Sequence, residues 1–152
     1  MRIVLMRGIP KSGKSTYVEK TFASSTCIIC SADFYFMRDG SYNFDPNALN
    51  ESQAGCLREF SHLIVDHAWG RLERLPEVLV VDNTNTSALE LAPYVALASA
   101  YGYKCDIITV RCDPMVAHQR NIHGVPLTVI QRMADNIKVP LPPYWNINLI
   151  NV

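Results

Sequence analysis

Eight residues near the N-terminus constrain the fold of this chain more than any other feature. The run from Gly8 to Ser15 reads Gly-Ile-Pro-Lys-Ser-Gly-Lys-Ser, which fits the pattern Gly-x-x-x-x-Gly-Lys-Ser/Thr at every fixed position. Apolar residues 3–6 before it predict a strand, and residues 14–22 after it predict a helix. This is the context that the pattern requires, so the sequence predicts a phosphate-binding loop (P-loop) between a first strand and a first helix.

The residue types of this loop suit the binding of ATP and Mg²⁺. Gly8 and Gly13 let the backbone turn so that its N–H groups point at phosphate oxygens, and the N-terminus of the helix adds partial positive charge. We expect Lys14 to reach the β- and γ-phosphates and the Ser15 hydroxyl to be a ligand of Mg²⁺. The other residues expected to contact the nucleotide are Lys11, Ser12 and Thr16.

Apolar runs alternate with helix-like stretches along the chain. The predicted strands are 3–6, 27–30, 78–81, 103–110 and 147–152, and the predicted helices are 14–22, 45–74, 88–101, 114–123 and 127–137. Such alternation is typical of a parallel β-sheet flanked by helices on both faces, so the predicted class is α/β with the P-loop NTPase fold. With no repeat or linker, the length predicts one domain over residues 1–152.

The third predicted helix contains a proline, Pro93, which should bend it or mark its true start. Ser87 and Glu90 have the spacing of a capping box, and the helix is expected to end before Gly102.

Charge and hydropathy exclude several classes of protein. Lys plus Arg and Asp plus Glu both number 14, so the net charge is zero, which disfavours a protein that wraps long duplex nucleic acid. Short contacts to the end of a strand need only a few cations. No apolar run approaches the ~18 residues of a membrane span, so no membrane partner is expected. The N-terminus lacks the pattern of a signal peptide, and the five cysteines are expected to be reduced thiols of a cytoplasmic protein.

Acidic residues follow two of the predicted strands, at the edge where ligands bind in α/β sheets. Asp82 follows strand 78–81 and is the candidate second ligand of Mg²⁺, although it can also simply cap the next turn. Asp33 follows strand 27–30, and a carboxylate there can take the proton from an attacking hydroxyl. A turn aspartate without a catalytic role is the alternative for Asp33.

Arg120 lies shortly before a glycine break, in the segment 114–137 that we expect to act as a lid. An arginine on a mobile segment can close over the triphosphate and stabilise charge that develops in the transition state. Arg132, in the next helix, is open to two interpretations, a phosphate contact or a solvated surface residue. The expected catalytic residues are therefore Lys14, Asp33 and Arg120.

Two further patterns are interpreted as structural. Cys27 and Cys30 have the spacing of a redox pair, but they lie in a predicted strand rather than at a helix N-terminus, where a thiolate is stabilised. His118 and His123 lie five residues apart with no second cysteine pair nearby, which disfavours a zinc site.

At these motifs the chain resembles the P-loop kinases of the polynucleotide 5′-kinase type, over residues 2–133. Besides the loop, the resemblance rests on residues 31–33, 42–45, 81–86, 101–103, 120–121, 125–126 and 130–133. It implies transfer of the γ-phosphate of ATP to a 5′-hydroxyl of DNA or RNA with Mg²⁺. It also implies that Asp33 is the general base and that Arg120 is the lid arginine that contacts the phosphates.

Two positions depart from that family. In characterised polynucleotide kinases an arginine three residues after the base binds the 3′-phosphate of the acceptor, and Phe36 stands there, with Arg38 two residues further on. Asn83 stands where an acidic residue is expected, and Asp82 precedes it. Whether Arg38 or Arg132 contacts the acceptor stays open. A phosphatase motif of the Asp-x-Asp-Gly-Thr type is absent from the sequence.

Three hypotheses on function follow. The leading one is a kinase that uses Mg-ATP and a 5′-hydroxyl polynucleotide end. The second is a nucleoside, nucleotide or small-metabolite kinase on the same scaffold, which the neutral charge and Phe36 favour. The third is a slowly hydrolysing ATP switch whose output is conformation. The sequence identifies no protein partner.

Overall fold

A parallel sheet of five strands forms the centre of the fold. The computed structural model describes residues 1–23, 25–38, 40–73, 76–121 and 124–152, without the side chain of residue 38. The sheet has the order β2-β5-β1-β6-β7, and all of its pairs are parallel. Its strands are β1 (Arg2–Arg7), β2 (Cys27–Cys30), β5 (Val78–Val81), β6 (Cys105–Thr109) and β7 (Ile147–Asn151). A separate antiparallel hairpin consists of β3 (Met37–Arg38) and β4 (Ser41–Tyr42).

In the described residues, five α-helices connect these strands. They are α1 (Lys14–Phe22), α2 (Leu49–Ala68), α3 (Ala88–Ala100), α4 (Pro114–Gln119) and α5 (Leu127–Lys138). Within the part of the chain that the structure describes, none of them is long and apolar enough to cross a bilayer.

Apolar side chains cover both faces of the sheet. On β1, Ile3 and Leu5 pack with residues of α2 and α3, whereas Val4 and Met6 pack with residues of α1. All four side chains are fully buried. Alternation of this kind places successive residues on opposite faces, and both faces are apolar because both are covered. The predicted α/β fold, a parallel sheet with helices on both faces, is confirmed.

The second long helix is shorter than the sequence predicted. Instead of one helix over 45–74, a 3₁₀ turn (Pro46–Ala48) precedes α2, and α2 ends at Ala68. The end is a Schellman motif around Gly70, which has φ +66°. Its backbone N–H donates to His67 O at 3.1 Å, and the next N–H donates to Asp66 O at 2.8 Å. Residue 74, the predicted end, lies outside the described residues.

The capping box at the start of α3 forms as predicted. The Ser87 hydroxyl accepts from the backbone N–H of Glu90 at 3.4 Å, and the Glu90 carboxylate accepts from that of Ser87 at 2.8 Å. The helix begins at Ala88 and contains Pro93 in its interior, so the expectation that Pro93 marks the true start was wrong. The capping box and buried residues such as Leu91 and Tyr94 hold the helix, while proline removes only one backbone hydrogen bond.

The segment between β2 and α2 was not predicted from the sequence. A 3₁₀ turn (Ala32–Phe36) leads into the β3–β4 hairpin, and the backbone N–H of Asn43 donates to Phe36 O at 2.9 Å. Strands of two residues are too short to show an alternating pattern. The strand predicted over 103–110 is limited to Cys105–Thr109, and the expected last strand forms β7 beside it.

Substitution of Ser87 by Ala tests the capping box. We expect Ser87→Ala to lose about 1 kcal/mol of unfolding free energy, because the Glu90 N–H loses its acceptor. Urea denaturation measures this loss. The matched control is Ser99→Ala, the same change at an exposed position of α3, which should cost nothing because Ala is the better helix former. Equal stability of the two variants would contradict the role of the cap.

Candidate functional site

The loop between β1 and α1 is closed by contacts that only particular residues permit. The backbone N–H of Gly8 donates to Thr84 O at 2.9 Å, which ties the loop to the segment that follows β5. A Cβ on Gly8 would lie 2.7 Å from Ser12 Oγ and 2.8 Å from Val110 O, so no larger residue fits there. Gly13 has φ +101°, a conformation that L side chains rarely adopt. Both invariant glycines of the sequence pattern are therefore required by geometry.

The Lys14 side chain folds back across this loop. Its Nζ donates to Gly8 O at 3.1 Å and to Ile9 O at 3.0 Å, and the residue is 9% exposed. Burial lowers the pKa of Lys14, while the negative charges of Asp82 and Asp33 act in the opposite direction. The ammonium is thus held inside the loop by neutral carbonyl groups, in the field of two nearby carboxylates.

Ser15 and Asp82, the two predicted ligands of Mg²⁺, lie together. Ser15 Oγ donates to Asp82 Oδ2 at 2.7 Å. The other carboxylate oxygen, Oδ1, is buried and has no hydrogen-bond partner among the described residues. Burial raises the pKa of Asp82, whereas the Ser15 hydrogen bond and the Lys14 charge lower it. A hydroxyl and an unsatisfied carboxylate oxygen are hard oxygen ligands, so the pair fits a Mg²⁺ ion.

Asn83 has a structural position that the sequence did not reveal. It is 7% exposed, and its Oδ1 accepts from the backbone N–H of Ala32 at 2.9 Å. Its Nδ2 donates to Cys56 Sγ at 3.3 Å and to Tyr94 OH at 3.5 Å. Asn83 therefore points into the core and fixes the turn that carries Asp33. Only Asp82 of this neighbouring pair contacts the P-loop.

Asp33 lies on the 3₁₀ turn after β2 and is exposed. Its Oδ1 accepts from the Tyr42 hydroxyl at 3.1 Å, so the β3–β4 hairpin orients the carboxylate. Burial and the nearby Asp33 charge raise the pKa of Tyr42 to about 12, which keeps this hydroxyl protonated as a donor at neutral pH. Neither Tyr42 nor the hairpin was singled out for this contact in the sequence, because it depends on tertiary structure.

Cavities lie on two sides of the P-loop among the described residues. The larger one, about 590 Å³, lies between Ile9, the end of β6 with Pro114, and one side of α5. The smaller one, about 240 Å³, is lined by residues that include Ser15, Glu19, Asp33, Phe34 and Asp82. The loop thus has one cavity at its beginning and another at its end. Sequence patterns gave no signal for the larger cavity.

The two arginines of the predicted lid are both exposed in the structure. Arg120 is exposed at the end of α4, and Arg132 is exposed on α5. Among the described residues, no hydrogen bond or ion pair joins either guanidinium to the P-loop. Residues 122–123 and the side chain of Arg38 lie outside what the structure describes, so His123 and Arg38 have no observed role.

Arg7 is a buried residue near the site that sequence reasoning missed. It is 5% exposed, and its Nη2 donates to Thr86 O at 3.0 Å and to Asn136 O at 3.4 Å. Burial lowers the pKa of Arg7. The side chain joins the last residue of β1, directly before the P-loop, to helix α5, which lines the larger cavity.

The cysteines are all free thiols. Burial raises the pKa of Cys27 and of Cys30, and the latter is fully buried in β2. A raised pKa disfavours the thiolate, in agreement with the interpretation of this pair as strand residues.

The raised pKa of Asp82 predicts an effect on stability. A carboxyl whose pKa is higher in the folded state stabilises the fold while protonated, and this contribution is lost as the pH rises through the folded pKa. Burial of the charged form of Asp82 therefore costs stability that a neutral Asn would not cost. We expect Asp82→Asn to raise Tm at pH 7, by roughly 2–4 °C for each kcal/mol recovered, with a smaller gain near pH 4.

The control for this experiment is Asp135→Asn. The Asp135 carboxylate is 70% exposed and pairs with Lys138 at 2.7 Å, and an exposed pair of this kind contributes little. A thermal melt monitored by circular dichroism measures both variants. A Tm for Asp82→Asn below that of the wild type would show that the contacts of the charged carboxylate outweigh its burial.

Comparison with known proteins shows the relatives of this chain. Human NEDD4-binding protein 2 (Homo sapiens) is 32% identical over an alignment of 157 residues. The alignment covers 91% of this chain and 8% of that protein. The chain thus spans about 8% of the length of this curated relative.

Solved structures share the fold. A chain in the structure of the Pnkp1/Rnl/Hen1 RNA repair complex superposes with a TM-score of 0.67 at 15% identity, covering 95% of this chain and 48% of that chain. A sugar kinase from Janibacter sp. HTCC2649 gives a TM-score of 0.61 at 14% identity, covering 99% and 85%. At these identities the likeness concerns the fold alone. The family described as AAA domain (AAA_33) matches residues 3–140, so the chain belongs to this family, with a P-loop kinase-like fold.

Proposed function

We propose that this protein is a kinase that transfers the γ-phosphate of Mg-ATP to a 5′-hydroxyl end of DNA or RNA. The observation that carries the proposal is the position of Asp33. Its carboxylate lines the same small cavity as Ser15 and Asp82, at the end of the P-loop opposite the larger cavity. The phosphoryl donor and the hydroxyl acceptor would then bind in separate cavities, on opposite sides of the P-loop.

The donor would occupy the loop and the larger cavity. A volume of about 590 Å³ is sufficient for a nucleoside, since small-molecule sites have roughly 300–1,000 Å³. The phosphates would accept hydrogen bonds from the loop N–H groups, and the Lys14 ammonium would exchange carbonyl oxygens for phosphate oxygens. Lys11, Ser12 and Thr16 complete this set. Ser15 and Asp82 would hold Mg²⁺, which neutralises charge on the β- and γ-phosphates when bound.

The acceptor hydroxyl would enter the smaller cavity beside Asp33. Tyr42 occupies Oδ1 of the carboxylate, so Oδ2 is the oxygen left to accept the proton. The hydroxyl oxygen attacks the γ-phosphorus, the bond from this phosphorus to the bridging oxygen of ADP breaks, and the proton passes to Asp33. The products are the 5′-phosphorylated end and ADP.

The segment 114–137 would close over the bound nucleotide as a lid. The lid and the P-loop would belong to a single domain of residues 1–152. Arg120 is exposed at the end of α4, where movement of the segment can carry it to the triphosphate. There it would stabilise charge that develops during transfer. Arg132, one helix further on, is a second candidate for this contact.

A polynucleotide end is favoured by the resemblance described above and by the fold shared with a chain of an RNA repair complex. One observation favours a small-molecule acceptor instead. Phe36, at the position of the arginine that binds an acceptor phosphate, is 3% exposed and packs among aromatic rings. A kinase for a nucleoside or a small metabolite is therefore the second candidate, and an ATP-dependent switch is the third.

A transfer assay with Asp33→Asn tests the proposal. The wild type, γ-labelled ATP and Mg²⁺ are incubated with oligonucleotides that end in a 5′-hydroxyl or a 5′-phosphate. We expect label only on the 5′-hydroxyl strand, and a loss of about 10²–10⁴-fold in Asp33→Asn, because Asn cannot accept the proton. Asn retains an oxygen for the Tyr42 hydroxyl, so the geometry is preserved.

The control variant is Asp45→Asn, the same change at an exposed residue that caps a nearby turn. It should retain full activity, because Asn also caps such turns. If the folded wild type binds ATP but labels no oligonucleotide, the acceptor is wrong, and a screen of nucleosides and sugars identifies the second candidate. If Asp33→Asn is as active as the wild type, Asp33 is not the base.

A further inference from the structure

An exposed aromatic ring lies at the mouth of the acceptor cavity. Phe34 directly follows Asp33, is 53% exposed and lines the cavity of about 240 Å³ with Ser15 and Asp82. A half-exposed phenyl ring beside two carboxylates gains little from the folded state, because much of its apolar surface stays in water. The exposed part of the ring is therefore available to a ligand that enters the cavity.

The neighbouring aromatic residues are engaged within the protein. The Tyr35 hydroxyl donates to Glu51 Oε2 at 2.6 Å, and the Phe36 ring is buried. The rings of Tyr42 and Phe44 lie edge-on to Phe36, with centroids at 6.1 Å and 5.1 Å. Among the described residues, the Phe34 ring pairs with no other aromatic ring. Phe44 is also half-exposed, but of the exposed rings in this cluster Phe34 is the one that lines the cavity.

The size of the cavity limits what it can hold. A volume of about 240 Å³ is below the roughly 300–1,000 Å³ of sites that enclose a whole small molecule. It suffices for the sugar that carries the reacting hydroxyl, but the attached base would extend out of the cavity. Outside the cavity the base would meet the exposed ring of Phe34.

The charges around this cavity favour a neutral base over a phosphate as its ligand. Among the described residues, which do not include the side chain of Arg38, the charged side chains that line the cavity are Glu19, Asp33 and Asp82, all of them acidic. Phe36 adds no cation, since it is apolar and buried. An acidic rim repels acceptor phosphates but tolerates a neutral heterocycle, and stacking on an aromatic ring is the usual way to bind one without sequence preference.

We infer that the Phe34 ring is the stacking platform for the base of the terminal nucleoside whose 5′-hydroxyl is phosphorylated. This inference rests on the proposed function and adds the mode of acceptor recognition. Specificity for the acceptor then comes from the base next to the reacting sugar rather than from its 3′-phosphate. Phe34 positions the nucleoside so that its 5′-hydroxyl reaches the Asp33 carboxylate.

The test combines variants of Phe34 with an altered acceptor. Steady-state kinetics use a 5′-hydroxyl oligonucleotide and its counterpart with an abasic terminal sugar. We expect Phe34→Ala to lower kcat/KM for the complete acceptor about tenfold, mainly through KM, and Phe34→Leu to behave alike because it lacks a π face. Phe34→Tyr should restore the wild-type value. The wild type should use the abasic acceptor about tenfold less well, with no further loss in Phe34→Ala.

Two controls separate the possible failures. Tyr144→Ala removes another exposed ring, 83% exposed between α5 and β7, and should leave kcat/KM unchanged. Unchanged ATP binding in Phe34→Ala shows that the variant is folded. If the wild type phosphorylates complete and abasic ends equally well, the proposed function stands and the stacking platform is refuted. Full activity of Phe34→Leu also refutes it. If no 5′-hydroxyl end is phosphorylated at all, both the proposed function and this inference fall.

Discussion

A buried ammonium group held by backbone carbonyls is the contact on which the site depends. Lys14 Nζ donates to Gly8 O and Ile9 O, and burial lowers the pKa of Lys14 because the ion has left water. Neutral carbonyls offset only part of the cost of burying a charge. The arrangement is tolerable because Asp82 and Asp33 lie close enough to act on the ammonium. A triphosphate would supply the missing negative charge.

The parallel sheet brings these charged residues together although they are far apart in sequence. Because all five strands run in one direction, the residues that follow β1, β5 and β2 reach the same edge. There Ser15 meets Asp82, and Ser31 Oγ donates to Asp82 O at 3.0 Å, which joins the ends of β2 and β5. The Asn83 side chain adds another connection between these two strand ends, because it accepts a hydrogen bond from the Ala32 N–H. Hydrogen bonds of the preceding residues Ser31 and Ala32 thus fix the backbone that leads to Asp33, while the Tyr42 hydroxyl orients its carboxylate.

Local patterns were sufficient wherever the structure is determined by neighbours in sequence. The turn of the P-loop into α1 and the Ser87–Glu90 capping box depend on residues close in sequence, and both form as predicted. Gly70 could have indicated the end of α2, since a glycine with positive φ ends many helices. Ser15 and Asp82 were brought together in the prediction by the metal they are expected to share, but other contacts between residues distant in sequence could not be predicted. The hydrogen bond from the Tyr42 hydroxyl to Asp33 is one example. The hydrogen bonds of Arg7 to Thr86 O, just before α3, and to Asn136 O in α5 are others. All of them depend on the tertiary fold, which residue spacing in the sequence does not show.

The most direct measurement is the thermal stability of the wild type and of Lys14→Met with and without Mg-ATP. Methionine keeps the length and apolar stem but removes the charge. We expect Mg-ATP to raise the Tm of the wild type in proportion to the logarithm of its concentration, since a ligand that binds the native state stabilises it. Lys14→Met should be at least as stable without nucleotide and gain nothing from it. Equal stabilisation of both proteins, or none of the wild type at millimolar Mg-ATP, would contradict the account.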